Sequence, residues 1–79
     1  MQLEIVTPEK KIYEGDAKYV KFPGKDGSFG VLDKHAAMIS TLGPGQLKIE
    51  SPTGETELIE IKGGVMEMNN NKLIVLAEQ

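Results

Sequence analysis

The sequence predicts an all-β fold, a flattened antiparallel β-sandwich of about eight to ten short strands, on three observations. Apolar and polar residues alternate in short runs. Gly, Pro and Asn punctuate those runs at close intervals. The best helical candidate, "KHAAMIS" from Lys34 to Ser40, is too short to stand alone and reads equally as a strand. In chain order, "QLEIV" places Leu3 and Ile5 on one face, and "DAKYVKF" sets Val20 and Phe22 opposite Ala17 and Tyr19. "FGVL" is strand-like, and "QLKIE" alternates through Leu47 and Ile49. "ETELIEIK" sets Ile59 and Ile61 against Leu58 and Glu60, while "KLIVLA" is apolar on both faces. Turn signals stand at Thr7-Pro8, Glu14-Gly15-Asp16, Pro23-Gly24, Gly43-Pro44-Gly45, Pro52-Thr53-Gly54 and Asn69-Asn70-Asn71. Gly63-Gly64, between two strand-like runs, marks a bulge or sharp bend.

The 79 residues make one domain, 1–79, with no linker, internal repeat or low-complexity tract. A chain this short buries only about 60–65% of the surface it exposes when unfolded, so packing or partners must supply its stability. Without cysteine it has no disulfide, thiolate metal site or thiol nucleophile. The net charge is −3, and all 9 cationic residues are lysines. They are scattered among 12 acids, with no basic stripe and no arginine fork, so nucleic acid is not an expected partner. No apolar run approaches the roughly 18 residues of a membrane span, and "MQLEIVTPEK" carries no signal-peptide pattern.

The stretch with most chemistry in it is "PGKDGSFGVLDKHAAMIS", Pro23 to Ser40. Gly24, Gly27 and Gly30 are spaced G-x-x-G-x-x-G and precede a strand, whereas a dinucleotide site needs G-x-G-x-x-G opening a helix. A tight turn explains them better than a phosphate cradle. His35 is the only histidine and has no metal-ligand spacing. Asp33, His35 and Ser40 supply the letters of a triad, but side chains this close in sequence rarely reach triad geometry. No carboxylate pair stands out as an acid and a base, so neither an active site nor a cofactor is expected. Lys34 offers the alternative: "LDKHA" looks like the Asp-Lys-Ala hairpin tip of a lipoyl carrier domain, with Lys34 as attachment site. "VMEMN" places Glu67 where a biotinyl domain needs lysine, which excludes biotin. Met38, Met66 and Met68 fit either the core or an adaptable contact patch.

Taken in order, "VTPE" with Tyr13-Glu14-Gly15, the "PG-DG-FGVL" loop, "HA" followed by "IS", "PG-L-I" and "GG" before the last hairpin resemble one family. It is the N-terminal β-sandwich of the epsilon subunit of F-type ATP synthase (delta in mitochondria), and the likeness runs from Leu3 to Glu78. The resemblance implies a non-catalytic central-stalk subunit that binds gamma and the c-ring and couples ion-driven rotation to ATP synthesis. It also implies a peripheral location on the cytoplasmic face of the bacterial inner membrane, or the matrix or stromal side in an organelle. The membrane would then be reached only through the c-ring.

Carried onto this chain, the c-ring contact falls on Asp26, Gly27, Ser28, Phe29, Gly30, Val31 and Leu32, with an exposed Phe29 as apolar anchor. The junction of gamma and c-ring falls on His35, Ala36, Met38, Ile39 and Ser40. Two features depart from the family pattern. Asp33-Lys34-His35-Ala36-Ala37 stands where Pro-Gly-His-Ala-Pro is usual, which implies a less rigid turn. The sequence also stops at Gln79, where the usual member continues into a two-helix hairpin, so a domain without that hairpin is expected.

Overall fold

The computed structural model describes all residues, Met1–Gln79, and contains nine strands and no helix. They are β1 (Gln2–Val6), β2 (Lys11–Asp16), β3 (Tyr19–Phe22), β4 (Phe29–Leu32), β5 (Met38–Leu42), β6 (Gly45–Glu50), β7 (Thr56–Ile61), β8 (Gly63–Asn69) and β9 (Lys72–Glu78). A five-stranded sheet, ordered β2-β1-β9-β8-β5, faces a four-stranded sheet, ordered β4-β3-β6-β7. Pairing is antiparallel except between β1 and β9, which run parallel and bring the two ends of the chain together inside one sheet. The all-β sandwich therefore holds, with that one departure from a purely antiparallel plan.

The predicted alternation decides which side chains fill the space between the sheets. Leu3, Ile5, Leu73, Val75, Met66 and Met68 come from the larger sheet; Val20, Phe22, Val31, Leu47, Ile49 and Ile61 come from the smaller. Each of them is at most 2% exposed, and no buried side-chain polar atom lacks a partner. The methionines of β8 are thus core residues and form no contact patch. Burying side chains of this size contributes about 1.5–3 kcal/mol apiece before the entropy of ordering the chain is set against it.

Turn chemistry fixes the connections. Thr7 Oγ1 accepts from the amides of Glu9 and Lys10 at 3.3 and 3.2 Å, closing the turn between β1 and β2. Asn70 and Asn71 take φ of 51° and 58°, the left-handed pair that a two-residue hairpin between right-twisting strands requires. Gly63 and Gly64 open β8, where the chain leaves β7 of one sheet for the other, so the expected sharp bend is there.

Two readings are corrected. Glu14-Gly15-Asp16 lies within β2 and makes no turn, because these residues pair with Glu4, Leu3 and Gln2 of β1. "KHAAMIS" divides between a loop and β5; from Met38 onward its backbone is held by the β8 ladder, which outweighs any local helical preference.

Candidate functional site

The segment Pro23–Ser40 folds as two connections around β4: a hairpin loop from β3 within the four-stranded sheet, and a crossover from β4 to β5 in the other sheet. Gly24 bridges Leu42, the Lys25 amide donates to the Thr41 carbonyl at 3.3 Å, and the Gly43 amide donates to the Pro23 carbonyl at 2.8 Å. These bonds hold the Pro23–Ser28 loop against the edge of β5. Between loop and strand runs an open groove of about 650 Å³, walled by Lys25, Asp26, Gly27 and Phe29 on one side and by Ile39 and Ser40 on the other. Residues from both predicted contact groups therefore share one groove.

Glycine at position 24 is a requirement of packing. A Cβ there would overlap the Gly27 carbonyl and sit 2.8 Å from the Phe29 ring. Gly24→Ala is expected to displace the loop and to destabilise the fold by about 1–3 kcal/mol, read by urea unfolding together with faster exchange of the Gly27 amide. An unchanged midpoint and exchange rate would show that the loop is not packed as described.

Other predicted residues lie elsewhere. Phe29 is half-buried, not exposed: its ring stacks on Phe22 with centroids 5.4 Å apart, so the core claims most of the intended anchor. Val31 is fully buried and offers no surface to a partner. Gly30 lies beneath the Tyr19 ring, and Ser28 opens onto a second groove beside Lys21 and Lys48. Met38 is half-buried against the core. Leu32, His35 and Ala36 are exposed but stand at the far end of the sandwich, where β4 passes to β5. His35 Nδ1 lies 2.9 Å from the Ala36 carbonyl and meets no acid. Lys34 sits in a connection between the two sheets and not at a hairpin tip, with φ of 69° and its amide bonded to Asn71. Nothing in that arrangement supports the lipoyl reading.

Asp33 of the unusual turn is held. It pairs with the α-ammonium of Met1 and accepts from Asn71 Nδ2 at 3.1 Å, and both contacts hold its carboxyl below the usual carboxylate range. No three or more His, Asp or Glu side chains are grouped to hold a metal.

The surface missed in the sequence is the outer face of the five-stranded sheet. Register aligns Val6, Leu76, Val65 and Thr41 in one row across β1, β9, β8 and β5, and Glu4, Ile74, Glu67 and Ile39 in the next. Ile39 is 70% exposed, Leu76 56% and Val65 36%. Val65 and Ile39 also line the groove, so the apolar row runs into it without a break. The opposite outer face differs: Lys21 and Lys48 stand directly across from each other, with Glu50 and Glu60 nearby in the register. The signal for the apolar face was present in "KLIVLA", whose second apolar face needs a cover of its own.

Comparison with known proteins gives a consistent result. A family model described as the beta-sandwich domain of the ATP synthase delta/epsilon chain matches residues 1–79. The chain is 49% identical over 78 residues to the ATP synthase epsilon chain of a Nitratiruptor species and 44% identical over 78 residues to that of Campylobacter fetus subsp. fetus. Each match takes in 99% of this chain but only 60% of the relative. Among solved structures, a chain of the Euglena gracilis mitochondrial ATP synthase (OSCP/F1/c-ring) superposes with a TM-score of 0.90 at 22% identity, over 98% of this chain and 49% of that one. A chain of the Tetrahymena thermophila central stalk and c-ring gives 0.83 at 21% identity, over 99% and 63%. At these identities the structural matches establish the sandwich fold.

Proposed function

The chain belongs to the ATP synthase delta/epsilon family through its β-sandwich domain, and from that premise we infer that it works as a non-catalytic rotor subunit of the central stalk. It binds gamma and stands on the c-ring, and so couples ion-driven rotation to ATP synthesis. One observation carries this reading: the apolar outer face of the five-stranded sheet continues into the groove between the Pro23–Ser28 loop and β5. Torque transfer needs a broad contact on a stiff body, and a cross-bonded sandwich with an uncovered apolar face meets both needs.

In this arrangement Val6, Val65, Ile74, Leu76 and Ile39 form the apolar centre that packs against gamma. Asp26, Gly27 and Ser28 at the loop, with the accessible part of Phe29, meet the polar loops of the c-ring. Glycine there lets backbone approach backbone closely. Leu32, His35 and Ala36, at the other end, are peripheral to the contact. The chain has no helix long and apolar enough to cross a membrane, and it reaches the bilayer through the c-ring, on the side where the catalytic head sits.

The test is co-purification with separately produced gamma and c-ring. The wild-type chain is expected to be retained by gamma, and more firmly when the c-ring is present. Failure to be retained by either one would overturn the assignment.

A further inference from the structure

Beside the apolar row of the larger sheet runs a second row of outward residues: Glu14, Glu4, Ile74, Glu67 and Ile39, from β2, β1, β9, β8 and β5. Its three carboxylates are not equivalent. Glu4 and Glu14 share Lys11, whose Nζ lies 2.8 Å from Glu4 Oε2 and 3.2 Å from Glu14 Oε1. Glu67 takes part in none of the chain's ion pairs. Lys72 stands across from Asn69, one row on, and is not bonded to it either. The setting of Glu67 differs as well. In the register Ile74 stands on one flank and Ile39 on the other, and Val65 lies two positions back on β8. Only the fourth neighbour, Asn69, is polar. Residues directly across a sheet are about 5 Å apart at Cβ, and those two apart on a strand about 7 Å. The carboxylate therefore stands inside the apolar face and not at its border.

Water satisfies such a carboxylate while the face is open. Once a partner covers Ile39, Val65, Ile74 and Leu76, Glu67 loses that water, and its charge must be met from the partner's side. We propose that Glu67 selects the partner: the surface that docks on this face is apolar and carries one lysine or arginine placed to meet the Glu67 carboxylate. In the rotor assignment, on which this rests, that surface belongs to gamma. The smaller sheet presents the converse. There Lys48 is flanked in the register by Lys21 and by exposed Leu58, so the charge beside the apolar side chain has the opposite sign. An apolar, basic surface is thus accepted by one outer face and repelled by the other, which fixes the way round in which the sandwich is mounted.

The experiment measures the affinity of purified gamma for the wild-type chain, Glu67→Gln and Glu67→Lys, at low and at physiological salt. Glu67 is exposed and unpaired, so both variants are expected to unfold at the wild-type midpoint. Glutamine keeps the shape and removes the charge, and is expected to weaken binding about tenfold. Lysine reverses the charge and should weaken it about a hundredfold or more. Added salt should weaken the wild type more than Glu67→Gln, which has lost the charged contact. A Glu67→Gln affinity within twofold of wild type would place Glu67 outside the contact, and a tighter one would show that it faces no cation. Either result overturns the proposal while leaving the rotor assignment intact. That assignment fails separately, if gamma does not retain the wild-type chain, and the role of Glu67 falls with it. Dimerisation of the isolated chain that Glu67→Lys abolishes would put a second copy on this face, and would likewise overturn the proposal.

Discussion

Replacing Gly64 with alanine is expected to cost about 3 kcal/mol or more, out of the roughly 4–12 kcal/mol that a domain of this length possesses. Two independent penalties combine. Gly64 has φ of +150°, where L side chains are strained. An added Cβ would also overlap the Leu76 carbonyl oxygen and lie 3.1 Å from Ala77 Cα. Those are backbone atoms of β9, held by ladders to β8 and β1, so they cannot give way as a flexible side chain would. Thermal unfolding should fall by about 12 °C or more. A loss below about 1 kcal/mol would mean that β8 and β9 do not approach as closely as described. Gly30 provides the contrast. A Cβ there would meet only the outer end of the Tyr19 ring, which can swing aside, so the cost of alanine is far smaller.

Phe22→Ala is the second large effect, about 3–5 kcal/mol from lost burial and the cavity left behind. Phe22 is fully buried, and its ring supports Phe29, so the damage reaches the groove. Urea unfolding should show the full loss, and exchange of the Gly27 amide, which donates to the Gly24 carbonyl at 3.2 Å, should rise even under folding conditions. Phe29→Ala should cost less, because Phe29 is only half-buried. Equal costs for the two would contradict the assignment of Phe22 as the inner ring.

The strands most legible in the sequence are those with one wet and one dry face: β1, β3 and β6 alternate cleanly and bury the apolar residues read on one face, while in β7 Ile61 is buried and Ile59 half-buried. β2 was hidden because Glu14-Gly15-Asp16 carries turn chemistry, yet β1 recruits it as an edge strand, with Gly15 beside the Tyr13 ring. β5 was hidden because "KHAAMIS" has no period strong enough to choose, and its choice comes from β8. The parallel pairing of β1 with β9 leaves no local trace, since it joins segments about seventy residues apart by packing alone.

The groove was half legible. Asp26, Gly27, Ile39 and Ser40 were singled out in the sequence as contact residues, and the fold brings them to one groove. Phe29 was misjudged because burial depends on Phe22 across the sandwich, not on neighbours in sequence. The apolar row escaped because its members come from β1, β8 and β9, and only the register aligns them. The Asp33 partner escaped for the same reason, lying 32 positions away.

The central claim is that the outer face of the five-stranded sheet is the surface that meets gamma. Leu76 and Leu58 are matched for a direct test: both are leucines, both are 56% exposed, and they stand on opposite outer faces. The measurement is the affinity of purified gamma for Leu76→Lys and for Leu58→Lys, with the stability of each confirmed by unfolding. A lysine in the centre of an apolar contact is expected to weaken binding about 30-fold or more, whereas one outside the contact should change it less than twofold. Loss of binding with Leu58→Lys and retention with Leu76→Lys would place gamma on the other sheet and contradict the account.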